Sequence, residues 1–227
     1  MSYDPAGGYT LFPSSLTRGE VIALTVKAME VGPDEFEVGL SEDGFPRFAG
    51  EGYPLRKEEP LQRAVALLAE EECGVIEPKG IKARETYWFE PALGSYPTVI
   101  FWVSDATWWY KRQPEQVEDF VRRWLKLCEE GHALFGYISH FYHMFARERL
   151  EQEVFPAFEQ GTFPKFLETI RASWLIYLGS KLVEQWREGQ RPSPVPILLS
   201  EDMPSGAHFF RLSRDVTTSS ASTWPLL

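Results

Sequence analysis

The chain has 227 residues, of which 44% are hydrophobic and 25% charged, so it has the composition of a globular protein and disorder is excluded as the default. With 23 Lys and Arg against 33 Asp and Glu, the formal charge is −10, which disfavours broad nucleic-acid binding because phosphate contacts need clustered cations, so no nucleic-acid partner is expected. No stretch approaches the roughly 20 apolar residues that span a bilayer, and Met1 to Phe12 holds no basic segment followed by an apolar run, so no membrane contact and a cytoplasmic protein are expected.

Residues 1–19 carry Gly, Pro and Ser without periodicity and read as an arm. Glu20 to Met29 alternates, with Val21, Ala23 and Thr25 facing one way and Ile22, Leu24 and Val26 the other. This predicts a strand covered on both sides. Val31-Gly32-Pro33-Asp34 is turn chemistry, and Phe36 to Leu40 reads as a second strand that completes a hairpin. Residues 41–57 are rich in Gly, Pro and charge, and read as an excursion. Pro60 suits a first helical position, and Leu61, Ala64, Val65 and Leu68 follow at helical spacing. Cys73-Gly74 closes that helix. Ile81 to Phe89 and Thr98 to Val103 predict a second hairpin.

The clearest helix opens at Pro114. Val117, Phe120, Val121, Trp124 and Cys128 fall on one helical face. Glu115, Glu118 and Asp119 lie in its first turns, where the macrodipole favours negative charge. Gly131 suits a left-handed end position. His132 to Ser139 predicts a strand, and Met144 to Val154 a surface helix. Ser173 to Leu178 is an apolar run whose pattern does not separate strand from helix. Ser180 is a candidate cap for a helix carrying Leu182, Val183 and Trp186. The proline-rich stretch 189–205 reads as a long connection, and Ala207 to Leu212 as a last strand.

Hairpins with helices crossing between them predict an α+β fold, with a largely antiparallel sheet and helices packed on one face. The expected organisation is an arm over 1–19, one α+β domain over 20–216, and a flexible tail over 217–227. The domain is open to division into related halves near 20–130 and 131–216.

Catalytic signatures are absent from the sequence. It holds no nucleophile elbow, dinucleotide-binding glycine pattern or P-loop. His140 and His143 are spaced to share a face, but zinc needs at least a third protein ligand, so no metal is expected. Cys128 lies on the apolar stripe of the best helix, which makes it structural and not a nucleophile partnered by His132. Glu70, Glu71 and Glu72 fan around a helix end and read as solvated. No cofactor is implied. Trp108-Trp109-Tyr110 lies between a strand and the best helix. Three adjacent large aromatics cannot all face one core: either the loop folds inward and the cluster packs, or part of it is exposed, and in that case it is the candidate partner-binding site, with a stacked ligand as a third reading.

Toward the C-terminus four segments stand out: Phe135-Gly136-Tyr137-Ile138-Ser139, Trp174-Leu175-Ile176-Tyr177-Leu178-Gly179, Leu182-Val183-Glu184 and Phe209-Phe210-Arg211-Leu212-Ser213. In this order, over residues 131–215, the chain resembles bacterial immunity-type proteins of polymorphic and type VI toxins, including the immunity protein 52 group. The resemblance implies a non-enzymatic α+β protein that binds and blocks a toxin. The acidic balance suits a cationic toxin as the protein partner. Two other readings remain at this point. One is a small hydrolase whose site assembles from scattered Glu, His and Tyr. The other is a phage or structural assembly subunit, for which homo-oligomerisation is open.

Overall fold

The computed structural model describes residues 6–30, 35–40, 56–70, 74–78, 85–89, 96–103, 106–140, 150–164, 173–189 and 197–214. The expectations for 41–55, for His143 and for the tail from 217 fall outside these residues.

The first strand, β1 (Ala6–Leu11), is buried at every position and lies between two neighbours in the middle of the sheet. This corrects the reading of 1–19 as an arm. The segment is short and holds two glycines, so it carries little apolar periodicity of its own. Gly8 is required by space, because a Cβ there would meet the Tyr137 carbonyl oxygen at 1.8 Å.

The strand expected over Glu20 to Met29 is instead α1 (Arg18–Met29). Its buried residues Val21, Ile22, Thr25, Val26, Ala28 and Met29 recur at helical, not alternating, spacing. Thr17 and Glu20 make a reciprocal capping box, in which each side chain accepts from the other's backbone N–H. That local signal, together with packing, overrides the β-preference of Val, Ile and Thr. The helix ends at Glu30, which is left-handed at φ 50°. The Glu30 carboxylate accepts from Arg122 and Lys126, both at 2.6 Å, and these bonds hold its pKa down at about 2.

The chain continues through β2 (Glu35–Leu40), β3 (Arg56–Pro60), α2 (Leu61–Glu70), β4 (Gly74–Pro78), β5 (Glu85–Phe89) and β6 (Thr98–Val103). β2 pairs with β3 and β4, not with the segment before it. The β5–β6 hairpin forms as expected. Then come α3 (Ala106–Arg112), α4 (Pro114–Glu130) and β7 (Phe135–His140). Gly131 is right-handed at φ −87°, and His132 takes the left-handed turn at φ 48°. Glycine is needed at 131 for space, since a Cβ would come 2.5 Å from the Phe12 ring.

A π-helical turn over Leu150–Val154 leads into α5 (Phe155–Glu159). The apolar run is β8 (Ser173–Leu178), buried throughout. In α6 (Ser180–Glu188) the N-cap is Gly179 and no side chain caps it, so Ser180 is the first helical residue. The expected connection 189–205 contains β9 (Leu199–Asp202), and β10 (His208–Arg211) closes the order.

All ten strands form one sheet in the order β3-β2-β4-β5-β6-β1-β7-β8-β10-β9, and every pairing is antiparallel. The fold is α+β. Strand alternation sends Val99, Phe101 and Phe209 into a core under α1 to α4, and Ile100, Tyr137 and Phe210 into a second core. Helices α1 to α4 share one face, but the expectation that the helices pack on one face alone is corrected, because the sheet has a second apolar face to bury. The π turn, α5 and α6 cover the other through Leu150, Val154, Phe155, Leu182 and Val183, so the sheet is covered on both sides.

Candidate functional site

The aromatic cluster Trp108-Trp109-Tyr110 forms the middle of α3. Trp109 is buried and packs edge-on to Phe120 of α4 at 5.3 Å. It serves the core, which corrects its assignment as a partner contact. The side chain of Trp108 lies outside the described residues. Tyr110 is half-buried at the rim of the core and faces a shallow cleft.

That cleft, of about 380 Å³, is lined by Tyr110, Pro114, Glu115, Glu118, Leu198, Arg211 and Arg214. Arg211 is a buried floor residue. Both its terminal nitrogens donate to Glu118, at 2.6 and 2.8 Å, and its guanidinium lies over the Trp174 ring at 5.7 Å. The Arg211 hydrogen bond holds the Glu118 carboxyl below the usual carboxylate range.

Beside the cleft is the sheet's end strand, β9, with all four residues exposed. Ile197, Leu198 and Leu199 run into it and are 37%, 48% and 44% exposed; among the described residues they are the exposed large hydrophobics. Three consecutive bulky aliphatics on a sheet edge form an apolar patch where natural edges are usually charged or covered. The proline-rich neighbourhood hid this strand from the sequence reading. The run Ile197-Leu198-Leu199 followed by Ser-Glu-Asp was the available signal.

The β9–β10 hairpin also carries a polar chain. Ser200 Oγ lies 2.8 Å from His208 Nε2, and His208 Nδ1 lies 2.7 Å from Asp202 Oδ1. Asp202 and His208 are cross-strand partners, and Ser200 is two residues along the same face, so the pleat brings all three together. The trio is not visible in the sequence, because the proline-rich stretch 189–205 reads as a connection and hides the strand that brings the three together.

The spacing is that of a Ser-His-Asp triad, but the setting differs. Asp202 is 69% exposed and shares its oxygen with Arg187 at 2.5 Å, whereas a triad carboxylate is buried and dedicated to its histidine. His208 is wedged between the Trp186 and Phe210 rings, at 5.5 and 4.5 Å. Ser200 lines neither the Tyr110 cleft nor the cleft at the start of α6. The trio therefore reads as a lock that joins the edge hairpin to α6. A fluorophosphonate probe is expected to label the protein no faster than a Ser200→Ala variant. Labelling of Ser200 that is lost in His208→Ala would convert the lock into a nucleophile.

A second cleft, of about 440 Å³, lies at the start of α6 and includes Ser14, Tyr96, His132, Lys181, Gln185 and Ser205 in its lining. Behind it, Tyr177 donates to Glu129 at 2.5 Å and Ser205 Oγ donates to the same carboxylate at 2.7 Å. Burial first, then the Glu129 bond, pushes the Tyr177 phenol up, so it stays a neutral donor at all ordinary pH.

The other residues considered for chemistry are dispersed. His140 ends β7, and among the described residues no group of three or more His, Cys, Asp or Glu is placed to hold a metal ion. Cys128 is fully buried, and burial pushes its thiol well up, which suits a packing role. Glu70 ends α2. Among the described residues no helix is long and apolar enough to cross a membrane.

No family model matches the chain, and no curated protein matches it. Among solved structures, it is similar to one described as the Pseudomonas aeruginosa T6SS protein PA0821, at 14% identity and a TM-score of 0.47. The match covers 92% of this chain and 65% of that one, so this chain spans less than two thirds of that protein's length. A likeness of that degree assigns neither a family nor an activity.

Proposed function

We propose that the protein acts by binding another protein, as an immunity-like inhibitor of a toxin, through the surface made by Ile197–Leu199, β9 and the Tyr110 cleft. The observation that carries this reading is the contiguous aliphatic patch at the edge of the sheet. An apolar centre beside an aromatic residue, with carboxylates at the rim, is the layout of a hot-spot interface. Glu115, Glu201 and Asp202 are exposed around it, and the formal charge of −10 favours encounter with a cationic partner. The C-terminal resemblance to immunity-type proteins leads to the same kind of role.

The test is capture from the source organism with the wild-type chain and a Leu198→Asp variant in parallel. Wild type is expected to retain a stoichiometric protein that the variant loses. Burying a charge at a hot spot should weaken binding by about 2 kcal/mol or more, roughly 30-fold, while the variant's melting temperature stays close to wild type. Equal capture by a folded variant would refute this surface. Absence of any specific partner, together with turnover in an activity screen, would refute the binding role.

A further inference from the structure

We infer that β9 receives an extended, basic segment of the partner as an eleventh strand of the sheet, an inference that rests on the binding role proposed above. The outer side of β9 is the end of the strand order, and among the described residues no segment pairs with it. The Met203 amide donates to the Ala207 carbonyl at 2.9 Å, which fixes the alternation of the hairpin. Counting back, Leu199 and Glu201 direct their main-chain groups toward β10, and Ser200 and Asp202 direct theirs outward. Among the described residues this edge is unpaired, and it offers two N–H and two C=O groups in strand geometry, which is the template used in strand addition.

Side chains on the two faces set what can pair there. On the α4 face, Leu199 and Glu201 lie opposite Arg211 and Phe209. At the Arg211 end of the hairpin, Leu198 shares a cleft with Glu115 and Glu118. Most cations near this edge are already committed, since Arg211 clamps Glu118 and Arg187 holds Asp202. Arg214 is the exposed cation in the cleft lining, which it shares with Glu115 and Glu118. An incoming strand that alternates basic and apolar residues shows one set on each face: with its cations on the α4 face, beside Glu201 and toward Glu115, the Lys stems lie along Leu199 and the apolar side chains fall on the opposite face, beside Ser200. A second copy of this chain fits less well. It would bring a charge of −10 against −10 and set carboxylates of one β9 near those of the other. Glu201 and Glu115 thus admit basic strands and repel acidic ones.

Ser200 gives the experiment. Its N–H points outward, so Ser200→Pro removes one edge donor without touching the β10 ladder, and proline is tolerated on edge strands for that reason. Ser200→Ala keeps the N–H and serves as the control for the lost His208 contact. The probe is a fluorescent peptide alternating Lys and Val over about eight residues, against a Glu–Val analogue, with binding read by polarisation. Wild type and Ser200→Ala should bind the Lys–Val peptide alike. Ser200→Pro, shown by circular dichroism and melting to be folded, should bind it at least about tenfold more weakly, and so should wild type with the Glu–Val analogue. Should Ser200→Pro misfold, a Lys–Val peptide N-methylated at every residue, which blocks both of its edges, should show the same loss on wild type.

Equal binding by Ser200→Pro or by the N-methylated peptide would overturn strand addition. Equal binding of the Glu–Val peptide would overturn the basic partner. A wild-type dimer abolished by Ser200→Pro would make a second copy the occupant. Absence of peptide binding to wild type, with Leu198→Asp still losing its captured partner, would overturn strand addition alone and leave the binding role standing.

Discussion

Replacing Trp124 by Ala should lower the stability of the protein by about 3–5 kcal/mol, as for other buried large aromatics. Trp124 is 1% exposed and is the side chain through which α4 reaches the middle of the sheet. Its ring packs edge-on to Phe209 of β10 at 6.3 Å, and its indole N–H donates to Thr10 Oγ of β1 at 2.9 Å. It also fills the space left by Gly136 on β7, where a Cβ would come 2.9 Å from the ring. Truncation would open a cavity across three strands and leave the buried Thr10 hydroxyl without its donor. Trp124→Phe should recover most of the loss, since it restores ring area and sacrifices one hydrogen bond of about 1 kcal/mol. Urea denaturation of both variants measures this. A loss below about 1 kcal/mol for Trp124→Ala would place the α4 face outside the core.

Arg123→Met should have a comparable effect, and one that grows with pH. Glu85 lies at 1% side-chain exposure on β5, where its carboxylate accepts from Arg123 and from the Tyr87 hydroxyl, both at 2.6 Å. Burial pushes the Glu85 carboxyl up, and the adjacent Arg123 charge draws it back. Removing Arg123 strands a buried carboxylate, which typically costs about 3–5 kcal/mol. With its counter-charge gone, the folded-state pKa of Glu85 rises further above the unfolded value. The native state then binds more protons than the unfolded one, so stability falls as pH rises through that window. The loss should be larger at pH 8 than at pH 5, where protonation relieves the charge. Adding Glu85→Gln should restore part of the stability at pH 8. Thermal melts of the single and double variants at both pH values check this. An equal loss at pH 5 and pH 8 would mean that Arg123 acts through packing alone.

The sequence makes some elements plain and conceals others for physical reasons. α4 was legible because its whole stripe from Val117 to Cys128 faces one core. The β5–β6 hairpin was legible because β-branched and aromatic residues flank a turn. α1 was misread because Val21, Ile22, Thr25 and Val26 favour strands locally, and the Thr17–Glu20 capping box is a two-residue signal easily outweighed by that composition. β1 was hidden because its stability comes from two neighbours distant in the chain, and glycine carries no pattern.

The candidate site was half legible. Of the aromatic cluster, Tyr110 lines the cleft beside β9, but Trp109 faces inward because α3 turns it onto Phe120. The edge itself is made by β9, whose six-residue separation from its β10 partner shows only once the hairpin is closed. Ser200, Asp202 and His208 meet for the same reason.

The measurement that tests the central claim most directly is hydrogen exchange of the main-chain amides in the free protein and in complex with the captured partner. The edge account predicts that exchange slows at Ser200 and Asp202, whose amides point outward, and that protection extends over Ile197–Leu199 and Tyr110. Protection confined to the opposite cleft around Tyr96, His132 and Lys181, with unchanged exchange along β9, would contradict it.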